Sequence, residues 1–289
     1  MGDDGFAIRA HELSSSLIEL RHRLVDEFGA DRVWILSDDF RERRVWPKGW
    51  QVVSIDPDVL DGIGLRHRGV ERPGWRLGDY GLYLWALQEP DLRHYWVTEP
   101  DVHFALPSIR DWVEALSAHE EDLLVPRFGP APEGWLWRPA LAELTGGPVY
   151  RCLFPLSRST EAAVDAAYQL RLRIGEAEPP VDPYPNDESV VATAAAQAGL
   201  RVAPLEDLCP GQFDYFAATV KVWRESLLRR HPDRELVVHS ALSYEQWARW
   251  FTHFLGNHGP AERHDRMRQV AARMAPEDLP VLHRLAARG

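Results

Sequence analysis

Two carboxylates separated by one proline, Glu99-Pro100-Asp101, follow one residue after the run Tyr95-Trp96-Val97. Aromatic and β-branched residues in such a run are typical of a buried strand. Two negative charges held together at the end of a strand repel each other, and a divalent cation that prefers hard oxygen ligands, Mg²⁺ or Mn²⁺, would relieve the repulsion. The alternative is a turn that the proline stiffens, with both acids solvated.

A second acidic pair, Asp187 and Glu188, follows Asn186. Asn186 is a favourable N-cap, so the pair is expected in the first turn of a helix that continues over residues 189–198. One interpretation is that the two acids only complement the helix dipole. The other is that one of them acts as a general base that orients an acceptor hydroxyl, with a pKa kept low by the dipole.

A histidine and two tryptophans are further candidates. His239 ends the short apolar run 236–238, where it is either structural or a third ligand for a divalent metal. Trp135 and Trp137 lie in a stretch rich in Pro and Gly, where they either cover the core or stack on the apolar face of a sugar ring.

The elements that must position these residues follow from local patterns. A helix is predicted over residues 17–28 and another over 80–87, and strands are predicted over 6–10, 33–36, 52–55, 94–98, 149–154, 200–203 and 236–238. The alternation of strands and helices predicts an α/β fold with a mostly parallel central sheet flanked by helices. Ligands bind such sheets outside the carboxyl ends of the strands, where Glu99 and Asp101 are expected.

Composition narrows the classes of function. The 289 residues are 45% apolar and 27% charged, as in an ordinary globular protein. The formal charge of −11 excludes a general nucleic-acid binder, because there is no basic surplus to neutralise phosphates. The two cysteines form no disulfide framework, the start lacks a signal peptide, and no apolar run could span a membrane, so a cytoplasmic location is expected.

The C-terminal region differs from the rest. From residue 244 onward the pattern is helical, with one aromatic stripe at Trp247, Trp250, Phe251 and Phe254. We therefore expect a catalytic domain over residues 1–243 and a helical extension over 244–289, whose amphipathic face is open to a homodimer contact.

Four stretches in this order resemble a known family: GWRLGDYGLYLWAL, YWVTEPDVHF, PNDESVVATAA and VVH. They are similar to the GT-A glycosyltransferases that use nucleotide sugars. They resemble more closely a set of glycosyltransferase-like proteins that carry W-R-x-G-D-Y before E-P-D-V. This resemblance covers residues 5–242.

The resemblance implies transfer of a sugar from a nucleotide-diphosphate donor to a hydroxyl acceptor. Glu99 and Asp101 match the place of the Asp-x-Asp motif that binds Mn²⁺ or Mg²⁺ at the donor's diphosphate. His239 matches the histidine that often completes the coordination, and Asp187 and Glu188 match the place where inverting members keep their base.

The donor-binding residues are also implied by the resemblance. Arg76 and Asp79 match the region that approaches the nucleoside or diphosphate, and Arg9 and His11 would lie under the nucleotide. The chain departs from the family pattern in having Glu99 in place of the first aspartate, with proline in the middle. A catalytically inactive GT-A-like binding or scaffold protein is therefore an alternative, and a metal-dependent phosphohydrolase that uses Asp38, Asp39 and Asp56 is a less favoured one.

Overall fold

The computed structural model describes residues 4–178 and 180–287. Its strands are β1 (Asp4–Ala10), β2 (Val33–Asp38), β3 (Gln51–Ile55), β4 (His94–Thr98), β5 (His103–Ala105), β6 (Leu123–Val125), β7 (Gly129–Pro130), β8 (Tyr150–Arg151), β9 (Leu156–Ser159), β10 (Val202–Pro204), β11 (Val222–Trp223), β12 (Leu236–Val238) and β13 (Ala241–Leu242).

The described ranges also contain thirteen α-helices and two short 3₁₀ turns, Ala30–Arg32 and Pro276–Asp278. The helices are α1 (Ser15–Phe28), α2 (Pro57–Gly62), α3 (Pro73–Arg76), α4 (Tyr80–Gln88), α5 (Ile109–Ser117), α6 (Arg138–Thr145), α7 (Glu161–Glu176), α8 (Asp187–Gln197), α9 (Leu205–Leu208), α10 (Arg224–Arg230), α11 (Tyr244–Asn257), α12 (Pro260–Ala271) and α13 (Leu279–Ala286). Within the described ranges, no helix has the length and apolarity needed to span a bilayer.

The described chain divides into two compact units. The first contains residues up to 100 and residues 108–208, and the second contains residues 101–107 and those from 209 onward. The predicted functional division between residues 243 and 244 stays a prediction.

The first unit is built on a seven-stranded sheet in the order β10-β6-β9-β4-β1-β2-β3. Strands β3, β2, β1 and β4 are parallel to one another, and β10 is parallel to β6. Strand β9 runs antiparallel to both of its neighbours, β4 and β6. The predicted α/β fold with a mostly parallel, helix-flanked sheet is therefore confirmed, and the predicted fourth strand lies at its centre.

Local sequence explains why α1 packs on this sheet. The Ser14 side chain accepts a hydrogen bond from the Leu17 backbone N–H and so caps the helix. Leu17, Leu20 and Leu24 recur at helical spacing and are buried. Gly29 ends the helix with a φ of +96°, a backbone conformation that a glycine adopts without strain.

The predicted strand over residues 149–154 is wrong. Only Tyr150–Arg151 is extended there, in a short pairing with β7, and the strand of the main sheet is β9. Its central residues, Ser157, Arg158 and Ser159, are polar yet buried, so the apolar pattern of a buried strand is missing. Arg158 lies in the sheet because its guanidinium donates to the backbone carbonyls of Leu116, at 2.6 Å, and of residues 119 and 121.

The second unit contains two small strand pairs and the C-terminal helices. Strand β12 pairs antiparallel with β5, and β11 pairs parallel with β13. Helix α11 begins at a capping box formed by Ser243 and Gln246. Its aromatic stripe packs within this unit against α12 and α13, in a cluster that contains Trp247, Phe251, Phe254, Val270, Met274 and Leu282.

Candidate active site

Three predicted site residues from three different elements meet at the carboxyl edge of the parallel strands in the first unit. Arg9 lies near the end of β1, Glu99 follows β4, and Asp187 is the first residue of α8. The Arg9 guanidinium forms an ion pair with Glu99 through Nη2 and donates from Nη1 to Asp187 Oδ2 at 2.7 Å. The side chains are 13%, 21% and 5% exposed, so this is a largely desolvated group of charges.

A glycine backbone packs directly against this ion-pair group. A Cβ atom built on Gly78 would lie 1.3 Å from Arg9 Nη1 and 2.4 Å from Asp187 Oδ2. No side chain fits there unless the ion pair moves, so the chain approaches the pair as closely as its backbone allows. The Phe154 ring lies 5.9 Å from the Arg9 guanidinium carbon and adds an aromatic contact. Sequence patterns alone did not identify either Gly78 or Phe154.

The start of α8 confirms the predicted cap. Asn186 Oδ1 accepts from the Ser189 backbone N–H at 3.2 Å, and Asp187 Oδ1 accepts from the Glu188 backbone N–H at 2.8 Å. Asn186 Nδ2 also donates to Glu188 Oε2 at 3.3 Å. The two acids therefore lie in the first turn, with side chains oriented by the cap.

Burial, followed by the neighbouring Asp187 charge, raises the pKa of the Glu188 carboxyl to about 7, and its hydrogen bonds and the Arg9 charge oppose this rise. Burial also raises the pKa of the Asp187 carboxyl, although Arg9 opposes this change. The expectation that the helix dipole keeps these pKa values low is therefore wrong, because desolvation of a carboxylate outweighs the dipole here. A carboxyl group with a pKa near 7 is well suited to accept and return a proton at neutral pH.

Cys152 is a buried neighbour that the sequence did not single out. Its Sγ donates to the Glu188 backbone carbonyl at 3.5 Å. Burial, followed by the charges of Glu188 and Asp187, raises the pKa of the thiol well above its ordinary value. A raised pKa keeps the thiol protonated at neutral pH, which does not favour Cys152 as a nucleophile.

The other predicted donor-binding residues lie in different surroundings. Asp79 is fully buried and accepts from Arg171 Nε at 2.7 Å, Arg171 Nη2 at 2.8 Å and the Tyr83 hydroxyl at 2.6 Å. These contacts join α4 to α7, so the structure gives Asp79 a structural role. The Arg76 guanidinium lies 5.2 Å from the Trp137 ring, and His11 is exposed just after β1.

The two loop tryptophans pack against the first unit. Trp137 is buried, and Trp135 is half-buried against the main core. Their surroundings agree with the core-covering interpretation.

In the second unit, two predicted metal ligands are neighbours. Asp101 Oδ1 and His239 Nε2 are 3.6 Å apart, and the imidazole is buried. His239 Nδ1 lies 3.2 Å from the Ala217 carbonyl oxygen. Because a carbonyl only accepts, this contact favours a neutral ring with the proton on Nδ1, and Nε2 also lies 3.2 Å from the Ser240 hydroxyl oxygen.

The three predicted metal ligands have suitable chemistry, and their grouping in one site stays a prediction. Glu99, Asp101 and His239 each offer one ligand atom, a carboxylate oxygen or an imidazole nitrogen, and hard oxygen with nitrogen ligands suits Mn²⁺ or Mg²⁺. Glu99 belongs to the first unit, and the other two belong to the second.

The acids considered for a phosphohydrolase have structural partners. Asp39 is buried and accepts from the Ser37 hydroxyl at 2.7 Å and from the Arg44 backbone N–H at 2.9 Å. Asp56 caps α2 by accepting from the Asp58 backbone N–H at 2.8 Å. These contacts are those of a buried turn and of a helix cap, so they do not favour hydrolase chemistry.

No protein-family model and no curated protein sequence matches the chain. Among solved structures, the mannosyltransferase PcManGT from Pyrobaculum calidifontis in complex with GDP-Man and Mn²⁺ is similar with 13% identity and a TM-score of 0.41, covering 98% of this chain and 69% of that one. A CMP:2-keto-3-deoxy-manno-octonic acid synthetase complexed with CTP is similar with 9% identity and a TM-score of 0.35, covering 70% and 89%.

The bifunctional IspDF from Campylobacter jejuni is similar with 10% identity and a TM-score of 0.36, covering 70% of this chain. The present chain spans about half of that protein, 49% of its length. The nucleotides, the sugar and the manganese are ligands of those proteins, and at these scores the likeness concerns the α/β fold alone. The resemblance to the set with W-R-x-G-D-Y and E-P-D-V stretches stays a prediction.

Proposed function

We propose that the chain is a glycosyltransferase that moves a sugar from a nucleotide-diphosphate donor to a hydroxyl acceptor. The observation that carries the proposal is the acidic pair of buried Asp187 and partly buried Glu188 beside Arg9, at the carboxyl edge of a mostly parallel sheet. This edge is where α/β sheets bind ligands, and strongly perturbed carboxyl groups concentrate at active sites.

Glu188 is the proposed general base. As the acceptor oxygen attacks the anomeric carbon, its proton passes to the Glu188 carboxylate, and the bond between the sugar and the diphosphate oxygen breaks. A pKa of about 7 keeps a large fraction of the group ionised at neutral pH and still makes it basic enough to take the proton. Asp187 contributes by its charge, which raises the Glu188 pKa, and by holding Arg9.

Glu99, Asp101 and His239 are the proposed ligands of Mn²⁺ or Mg²⁺. The distance of 3.6 Å between Asp101 Oδ1 and His239 Nε2 supports this assignment. Only one residue separates Glu99 from Asp101, so covalent geometry keeps their Cα atoms within about 7 Å of each other. When bound, the cation would neutralise the charge that develops on the leaving diphosphate.

Arg9, His11 and Arg76 are the proposed donor contacts. Two of the three are permanently charged guanidinium groups, which match phosphate oxygens in charge and geometry. Asp79 enters the proposal indirectly, because its buried contacts with Arg171 fix the start of α4, directly after Gly78.

The test is incubation with a panel of UDP- and GDP-sugars and Mn²⁺, with donor binding and donor hydrolysis both measured. Glu188→Gln should retain donor binding but lose roughly 10²-fold or more of the turnover, since only the proton transfer is removed. Asp101→Ala should lose the effect of Mn²⁺ on donor binding, whereas Asp91→Ala, at an exposed site, should behave as wild type. Absence of binding and of hydrolysis with every donor would contradict the proposal.

A binding or scaffold protein without catalysis is the second candidate. Its specific support is the ion pair between Arg9 and Glu99, in which the guanidinium relieves charge repulsion at the acidic turn as a metal ion would. This candidate predicts that nucleotides raise the melting temperature, because a ligand of the folded state stabilises it, while no donor is ever consumed. Turnover of any donor that is lost in Glu188→Gln would rule it out.

A further inference from the structure

Arg9 contacts one member of each of the two proposed functional groups, and both of these partners lie in the first unit. Its Nη2 pairs with Glu99, a proposed metal ligand, and its Nη1 pairs with Asp187, the neighbour of the proposed base. We call this three-residue group of Arg9, Glu99 and Asp187 the Arg9 bridge. A guanidinium can serve two carboxylates at once because its N–H donors are fixed in a planar fork.

The Arg9 bridge is held in place by its surroundings. Gly78 packs so closely that a Cβ atom there would overlap the guanidinium, and the Phe154 ring lies on it at 5.9 Å. The Arg9 side chain is only 13% exposed. A charge in such a desolvated position interacts strongly with its partners, because water screens it little.

The bridge implies competition for Glu99. A carboxylate that is engaged by a guanidinium is a poorer ligand for a divalent cation, since two positive charges would then approach the same group. Conversely, when the guanidinium leaves Glu99, its N–H groups become available to bind phosphate oxygens in bidentate fashion. Cation binding to Glu99 and phosphate binding to Arg9 therefore favour each other.

We propose that Arg9 is a positioning residue that keeps Glu99 from binding a divalent cation until a diphosphate group draws the guanidinium away. The inference rests on the proposed function, because it assigns an order to ligands of the same site. Arg9 would then do more than attract the nucleotide-sugar donor, because it would weaken cation binding while it strengthens diphosphate binding.

The experiment measures two affinities with simple probes. Mn²⁺ alone is titrated and followed by electron paramagnetic resonance of the free ion, and inorganic pyrophosphate is titrated by calorimetry without metal. Arg9→Met should bind Mn²⁺ on the order of tenfold more tightly than wild type and pyrophosphate on the order of tenfold more weakly, the scale of a partly buried charged contact. Opposite shifts distinguish the proposal from a structural role, because a damaged site would weaken both affinities.

Two further variants separate a specific effect of Arg9 on Mn²⁺ binding from effects of lost charge or of damaged folding. Arg201→Met removes one positive charge from an exposed residue whose ion-pair partner is Glu120, and it should leave the affinity for Mn²⁺ unchanged. The double variant Arg9→Met with Asp187→Asn also removes the buried Asp187 charge, which Arg9→Met alone would leave without a counter-charge. The fold is therefore protected, and Mn²⁺ should again bind more tightly than in wild type.

The outcomes separate the two proposals. If wild type binds pyrophosphate and Mn²⁺ but both variants at Arg9 bind Mn²⁺ equally or more weakly, Arg9 does not restrain Glu99 and the inference is overturned while the proposed function stands. If wild type binds neither probe under any condition, the proposed function itself fails, and the inference fails with it.

Discussion

Replacing Glu188 by Gln should stabilise the protein above neutral pH. The folded-state pKa of this carboxyl is raised, so the folded protein binds the proton more tightly than the unfolded chain does. The stabilisation from this proton is complete below the ordinary Glu pKa and is lost as the pH rises to the folded-state value. Glutamine resembles the protonated acid in shape and cannot ionise, so it retains this stabilisation at every pH.

The magnitude follows from the pKa difference. A Glu carboxyl with an ordinary pKa of 4.5 that titrates at about 7 in the folded protein loses stabilisation across that window. At about 1.4 kcal/mol per pH unit, the free energy of unfolding of wild type should fall by about 3 kcal/mol relative to the variant between pH 4.5 and pH 8. This value is an upper limit, because Glu188 is not completely buried and solvent screens part of the effect.

The assay is urea unfolding followed by tryptophan fluorescence at pH 5, 6, 7 and 8. Wild type and Glu188→Gln should unfold at nearly the same urea concentration at pH 5, and the variant should become the more stable protein as the pH rises. Glu133→Gln removes a carboxylate at an exposed position and should follow wild type at every pH. Parallel curves for wild type and Glu188→Gln across the whole range would show that burial does not perturb this carboxyl, and the assignment of Glu188 as base would lose its physical basis.

Two further predictions concern the supports of the site. Gly78→Ala should displace the Arg9 guanidinium and lower the free energy of unfolding by about 1–3 kcal/mol, as overpacking usually does, with loss of pyrophosphate binding. Gly129→Ala, where a Cβ meets nothing within 4 Å, is its control in the same melting and binding measurements, and equal effects of the two would contradict the close packing. Asp79→Asn should destabilise by about 3–5 kcal/mol in urea, because it leaves the Arg171 charge buried without its counter-charge. A loss of unfolding free energy below about 1 kcal/mol would mean that the ion pair of Asp79 and Arg171 is solvated and not buried.

The sequence predicted those features that are encoded by neighbouring residues. Ser14 and Asn186 as helix caps follow from side chains that reach backbone N–H groups two or three positions away. The central strand before Glu99 follows from consecutive aromatic and β-branched residues. In these cases the whole interaction lies within a few consecutive residues.

Contacts between distant residues could not be read in the same way. Arg9 meets partners 90 and 178 positions along the chain, and nothing in its own surroundings indicates either one. Strand β9 was not predicted because Arg158 donates to carbonyls of a distant segment, so a polar triplet is buried where the pattern of a buried strand requires apolar residues. The pKa of Glu188 was misjudged for a related reason, since the helix dipole is visible in the sequence but the degree of burial is not.

Three further predictions concern the chain as a whole. The cytoplasmic location, a homodimer contact through the amphipathic C-terminal helices and the division at residue 243 stay predictions. Chromatography with light scattering would test the second, with a doubled mass as the expected result.

The reversed direction of β9 decides which part of the chain can reshape the site. Because β9 runs against β4, the segment that enters it arrives at the edge where the parallel strands end, and the Glu99 backbone N–H donates to the Pro155 carbonyl at 2.9 Å. Phe154 and Cys152 reach Arg9 and Glu188 by this route. Insertions or deletions in the loop ahead of β9 should therefore alter ligand preference, whereas changes between β9 and α7 fall at the opposite edge and should leave it unaffected.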